Sequence, residues 1–101
     1  MKFLVMWELE PVGLRAEMVQ AVMRMPDYAR KVKEDKKLFA RYHMVGKHGG
    51  AWIYEVSSNE ELERLLAMAP VFNYARFQVM PLADMEAPTE VLQPLKGGTK
   101  P

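Results

Sequence analysis

Apolar residues fill both alternating sets of the opening segment, with Phe3, Val5 and Trp7 on one side and Leu4 and Met6 on the other. A short run with β-branched and aromatic members predicts a strand over Lys2 to Glu8, ended by Pro11 and Gly13. Because neither side is polar, that strand is expected in the middle of a sheet, covered on two faces. From Leu14 the period lengthens. Leu14, Met18, Val22 and Met25 recur every three or four residues beside Val19 and Ala21, the pattern of an amphipathic helix. Pro26 lacks an amide hydrogen and crowds the preceding turn, so the helix should kink or restart there, with Asp27 to Lys36 as a more exposed second piece. A bent helix beside a sheet leaves room for a pocket.

Leu38 to Lys47 and Ala51 to Ser57 read as two further strands, with His48, Gly49 and Gly50 supplying the positive-φ turn of a tight hairpin. If Gly49 and Gly50 are the two turn residues, Arg41, His43, Val45, Trp52, Tyr54 and Val56 share one face, and Tyr42, Met44, Ile53 and Glu55 the other. Ser58 and Glu61 have the spacing of a capping box, and Leu62, Leu65, Leu66 and Ala69 then form the buried stripe of a second helix that Pro70 ends. Ala75 to Leu82 complete the pattern as a strand, with Pro81 placing it near an edge or an end. The order is β-α-β-β-α-β, over residues 1–84. Residues 85–101, with Pro88, Pro94, Gly97, Gly98 and Pro101, are expected to form an irregular tail whose Val91, Leu92 and Leu95 are suited to docking on a neighbour. Two helices cover one face of a four-stranded sheet, so the second apolar face of the first strand needs a partner, most simply a second copy of the chain.

Composition narrows the function classes. With 101 residues, half of them apolar, and no cysteine, the chain suits one domain that buries a core without disulfides or a thiolate metal site. A formal charge of +1 provides no global field for nucleic acid or an anionic bilayer. The one basic run, Arg30, Lys31, Lys33, Lys36, Lys37 and Arg41, is broken by Glu34 and Asp35 and lacks interleaved aromatics for base stacking, so it reads as a solvated helix face. No stretch approaches the apolar length of a membrane span, and Glu8 interrupts the N-terminal run too early for a signal peptide. The expectation is a soluble cytoplasmic protein with neither a nucleic-acid nor a membrane partner.

The chain carries no phosphate-binding loop, no nucleophile elbow and no pair of histidines at a helical ligand spacing, and no metal site is expected. His48 falls in the hairpin turn, where a solvated role is the simpler reading. His43 falls inside a strand on the face of Trp52 and Tyr54, and an imidazole there can act first as base and then as acid. A hydrogen bond to a neighbouring carbonyl is the competing role. Glu55, in a central strand, should be paired or sit in a polar cavity, and its facing opposite to His43 keeps the two from cooperating. The nine methionines are core and interface filling.

Three features carry a family resemblance: Gly46, then Glu55-Val56-Ser57-Ser58 opening the second helix, then Ala69-Pro70-Val71-Phe72-Asn73-Tyr74 before the last strand. Together they resemble the muconolactone isomerase family, closely over Gly46 to Leu82 and by element order over Met1 to Val45. The resemblance implies an α+β fold of the ferredoxin-like kind, an antiparallel four-stranded sheet, and a homodimeric α/β barrel assembled further into a ring of dimers. It also implies a reaction without metal or organic cofactor, in which a proton moves between carbons of a small unsaturated lactone bearing a carboxylate, in the breakdown of aromatic compounds. Leu4, Met6 and Met25 stand where family members carry polar residues, and His43 where the family has an arginine. The expected site lies between the bent helix and the sheet. His43 shuttles the proton, with Asp27 as the alternative; Trp52, Tyr54 and Tyr28 wall the ring, and Arg41 holds the carboxylate. Two other readings stay open: a non-catalytic dimeric module binding a small ligand or a protein, and a cofactor-free monooxygenase.

Overall fold

A computed structural model describes residues 1–10 and 15–85 of the chain. Pro11, Gly13 and Leu14 of the first connection, and the tail segment with Val91, Leu92 and Leu95, lie outside the described residues. Seven elements run in the order β1 (Lys2–Leu9), α1 (Ala16–Met23), α2 (Met25–Glu34), β2 (Leu38–His43), β3 (Gly49–Glu55), α3 (Asn59–Ala67) and β4 (Ala75–Leu82). The four strands form one antiparallel sheet in the order β2-β3-β1-β4, with the apolar first strand in its centre as its pattern requires.

The helices cover one face of this sheet. Phe3, Val5 and Leu9 of β1 and Trp52 and Tyr54 of β3 point into the core, where they meet Met18, Ala21, Met25, Ala29 and Val32 of the first helical layer and Leu62 and Leu66 of α3. No charged residue is buried among the described residues. The opposite face of the sheet carries Leu4 and Met6, paired across the ladders with Ile53, Ala51, Met80 and Gln78, and among the described residues no element lies over it.

The bend predicted at Pro26 is present. Arg24, with φ −91° and ψ −7°, separates α1 from α2, and Pro26 occupies the first turn of α2, where its missing amide hydrogen costs nothing. The far end of α2 closes on Lys36 in the left-handed region, φ +60°. Lys37 N–H donates to the Val32 carbonyl (3.0 Å) and Lys36 N–H to that of Lys33 (2.9 Å), the paired bonds of a Schellman cap formed here without glycine. At α3, Glu61 N–H donates to Ser58 Oγ (3.0 Å), and the Glu61 carboxylate reaches back to the Ser57 N–H (2.8 Å), one residue before the box's usual partner.

The hairpin differs from expectation. Met44 N–H donates to the Gly49 carbonyl, and His43 pairs with Gly50, so the connection runs through Val45 to His48 and its positive-φ glycine is Gly46 (φ +81°). Gly49 and Gly50 belong to β3. They are glycines because a side chain would have no room: a Cβ on Gly49 would collide with the Trp7 carbonyl oxygen, and one on Gly50 would lie 2.9 Å from both Trp7 Nε1 and the Tyr42 carbonyl oxygen. The ladder moves by an even number of residues, so the predicted faces survive for the residues that remain in the strands, Met44 and Val45 lying beyond β2, and Arg41 lies opposite Trp52. One bulge, between Leu38 and Ala40, extrudes Phe39 to solvent beneath the Lys2 ammonium, 5.2 Å from its ring centroid.

Candidate functional site

Strand pairing brings three residues onto one rung of the helix-covered face: Trp7 of β1, Gly50 of β3 and His43 of β2. The next rung on that face holds Val5, Trp52 and Arg41. Where the helical layer breaks between α1 and α2, these rungs are incompletely covered, and a cavity of about 240 Å³ opens between Val22, Met25 and Pro26 on the helices and Trp7, Trp52, Arg41 and His43 on the sheet. An adjoining cavity of about 230 Å³ shares Trp7, Val22, His43 and Gly49 and adds Val19 and His48. The space fits a small ring compound, with apolar walls and a few polar groups on one side.

The polar groups are His43 and Arg41. Both side chains are exposed, and neither lies within 4.0 Å of a carboxylate among the described residues. The Arg41 guanidinium lies over the Trp52 ring at 5.6 Å, a cation–π contact that positions it while leaving its hydrogen-bond donors free. On its other side Arg41 borders a groove of about 330 Å³ between α2 and β2, with Arg30, Lys33 and Phe39. That groove is larger and cationic, but it is lined by neither a histidine nor a carboxylate.

Trp52 is only 4 % exposed. Its ring is packed against Tyr28, 5.8 Å between centroids, and stacked on Tyr54 at 6.1 Å. Tyr28 Oη donates to the Leu65 carbonyl (2.6 Å), and because a carbonyl only accepts, the 3.0 Å contact between the two phenols has Tyr54 as donor. Both hydroxyls are committed to this chain. Burial pushes both phenols up from the ordinary tyrosine value, Tyr54 the further, with neighbouring Tyr28 adding to its shift.

The structure therefore gathers Arg41, His43 and Trp52 at one cavity and sets Tyr28 and Tyr54 behind Trp52, in the core, where they fix its plane. Asp27 sits apart, exposed on the first turn of α2 and paired with Arg30 at 3.2 Å. Glu55 is the last residue of the central strand β3, exposed at the end of the sheet and 4.0 Å from the Met1 ammonium, so it takes the paired alternative and not the polar cavity. His48 is exposed in the connection, as its position predicts, and also borders the second cavity. Leu4 and Met6 face away from the cavity, whereas Met25 lines it. Sequence reasoning did not single out Trp7 and Gly50 for the site. Alternation places Trp7 on the inner face, but only the ladder shows that it and His43 flank the same glycine.

Comparisons with known proteins agree with this fold. The family model for muconolactone delta-isomerase matches residues 1–87. The Muconolactone Delta-isomerase of Cupriavidus pinatubonensis (strain JMP 134 / LMG 1197) is 36% identical over 56 residues, which is 55% of this chain and 61% of that protein, so the match spans less than two thirds of the relative's length. Among solved structures, muconolactone isomerase superposes with a TM-score of 0.75 at 21% identity, over 86% of this chain and 93% of that one. The 5-chloro-2-hydroxyhydroquinone dehydrochlorinase of Burkholderia phenoliruptrix AC1100, solved with 2,5-dihydroxybenzoquinone, superposes with a TM-score of 0.68 at 18% identity, over 82% of this chain and 94% of that one. The two structural likenesses concern the fold; the family model covers most of the sequence, and the chain belongs to the muconolactone delta-isomerase family.

Proposed function

We propose that this protein is an isomerase that moves a proton within a small unsaturated lactone bearing a carboxylate. The observation that carries the reading is the cavity wall itself: an imidazole and a guanidinium with no carboxylate partner among the described residues, His43 and Arg41, project from neighbouring rungs onto an apolar, ring-sized space. The reaction needs a base at the acidic C–H, a cation for the carboxylate, and donors for the oxygen that gains charge as the dienolate forms. His43 takes the proton from the carbon next to the conjugated system, the electron pair spreads to the lactone carbonyl oxygen, and the imidazolium so formed returns the proton to a different carbon. Arg41 holds the carboxylate, and Trp52, held flat by Tyr28 and Tyr54, supports the ring. Asp27, paired with Arg30 outside the cavity wall, is the weaker candidate for the base.

The same reading includes self-association through the sheet face that the helices leave bare. Leu4, Met6, Ile53 and Met80 form a contiguous apolar patch there, with Met80 42 % exposed. Such a patch on a small domain is the usual mark of an interface, and a second copy offers an identical patch in a two-fold arrangement.

The test follows deuterium entry into an unsaturated γ-lactone acetate by NMR in deuterated water. Removing a positioned general base costs about 10²–10⁴-fold, so His43→Ala should lower exchange by that order while leaving the melting temperature near that of the parent. Exchange that persists unchanged in His43→Ala overturns the assignment. If the parent protein catalyses no exchange but still binds the lactone, the non-catalytic binding module is the better description.

A further inference from the structure

Among the described residues, Trp7 Nε1 is the one buried side-chain nitrogen or oxygen without a hydrogen-bond partner. A donor left so keeps its full desolvation penalty, and natural structures tolerate that mostly where a ligand or an ordered water completes the bond. Its setting argues for a ligand. The position that a Cβ of Gly50 would occupy lies 2.9 Å from Trp7 Nε1 and 3.0 Å from Trp52 Nε1. Two indole nitrogens thus converge over a residue without a side chain, at the wall of the cavity that also carries His43 and Arg41. Indole N–H only donates, so the pair has one chemical use, to hold an acceptor oxygen. The Tyr42 carbonyl oxygen, 2.9 Å from the same position, closes the backbone side, which leaves the cavity side for the acceptor's approach. Arg41 and His43, both exposed, are the movable members of that wall.

The geometry points to Trp7 and Trp52 as an oxyanion notch: their indole N–H groups receive the ring carbonyl oxygen of the substrate and bond to it most strongly when it carries the charge of an enolate. This rests on the proposed proton transfer, for which it supplies the third requirement beside the base and the cation. A dry donor fixed before the ligand arrives needs no reorganisation when charge develops, which is where such donors contribute most. Gly50 is then a glycine for function as well as packing, since any side chain there would stand between the two nitrogens.

The experiment uses tetronate, an anionic lactone enolate, and γ-butyrolactone, a neutral lactone of the same ring size. With only two tryptophans, ¹⁵N labelling yields two indole signals, assigned by the loss of one in Trp7→Phe. Tetronate is expected to move both indole protons downfield saturably and to bind at least about tenfold more tightly than γ-butyrolactone, a preference that Trp7→Phe largely abolishes. In the isomerase assay Trp7→Phe should lower kcat by about 10²-fold with little change in KM, the mark of a donor used in the transition state. Tetronate binding that leaves both indole signals in place overturns the notch while leaving the His43 assignment standing, because His43→Ala is judged by proton exchange. No saturable tetronate binding overturns the notch as well. Should Trp7→Phe not fold, the indole shifts of the parent protein and of Gly50→Ala decide, the latter expected to bind tetronate without them.

Discussion

Trp7 and His43 stand on one rung of the sheet, two strands apart, with Gly50 alone between them. Neighbouring strands are about 4.8 Å apart, so the two backbones stand roughly 10 Å apart, and the indole nitrogens of Trp7 and Trp52 lean over the bare glycine in the gap between them. Packing constraints and proposed chemistry meet at that gap, and both can be tested separately.

Arg41 should govern binding more than turnover. Arg41→Met keeps the apolar stem over Trp52 and removes the charge. It is expected to raise KM for a carboxylated lactone about tenfold or more and to leave the affinity for γ-butyrolactone unchanged. Steady-state kinetics with the carboxylated lactone and a binding titration with γ-butyrolactone check it, and equal losses for the two would show that Arg41 acts through packing.

Gly49 and Gly50 should be intolerant for different reasons. Gly49→Ala drives a Cβ into the Trp7 backbone oxygen, which cannot turn aside, so a loss of about 1–3 kcal/mol in urea denaturation is expected. Gly50→Ala meets the two indole nitrogens and the Tyr42 oxygen at 2.9–3.0 Å, a smaller overlap than the one at Gly49, and should cost less. Equal stability of Gly49→Ala and the parent would contradict the ladder register.

Lys36 offers a stabilising substitution. It holds a left-handed conformation at the end of α2 that costs a non-glycine residue about 1–2 kcal/mol, so Lys36→Gly should gain up to about 1 kcal/mol after glycine's greater unfolded-state entropy is counted. A lower melting temperature for Lys36→Gly would show that the Lys36 side chain contributes more than its backbone costs.

The phenol pair sets an alkaline limit. Folding raises Tyr28 and Tyr54 above the ordinary value of 10.0, so above that pH the unfolded chain releases protons that the folded chain keeps. Their contribution is complete below pH 10 and falls as the pH rises beyond it. Tyrosinate absorbance should therefore include a step coincident with the loss of circular dichroism, absent in the double variant Tyr28→Phe/Tyr54→Phe. At the other extreme, the Ser57 N–H bond and then Lys37 hold the Glu61 carboxyl below its usual value, so its smaller contribution is lost as the pH falls through the acid range.

Assembly should depend on the bare sheet face. Ile53 is paired with Leu4 at the centre of that face, and Ile53→Glu is expected to shift sedimentation velocity from a self-associated species to a single subunit without altering the fold. A parent protein that sediments as a single subunit at micromolar concentration would refute the interface.

Most of the architecture is written in local patterns. Two-sided apolarity sends β1 to the centre, the spacing through Met18 and Met25 makes a helix that Pro26 must interrupt, and Ser58 with Glu61 caps α3, because each depends on a few consecutive residues and the backbone's fixed periods. Facing was legible only through an assumed turn: pairing about Gly49-Gly50 set Arg41, His43 and Trp52 on one side, and this survives because the true ladder differs by an even number of residues. The pair Gly49-Gly50 misled, since glycine marks a turn and a crowded strand equally well, and the tertiary contact with Trp7 decides between them. Only the folded sheet could set Trp7 beside His43, turn Tyr28 and Tyr54 from ring-binding candidates into supports for Trp52, and leave Asp27 outside. These outcomes depend on which strands become neighbours and at what register, and that is decided by packing between residues some 40 positions apart, a distance over which no local period carries information.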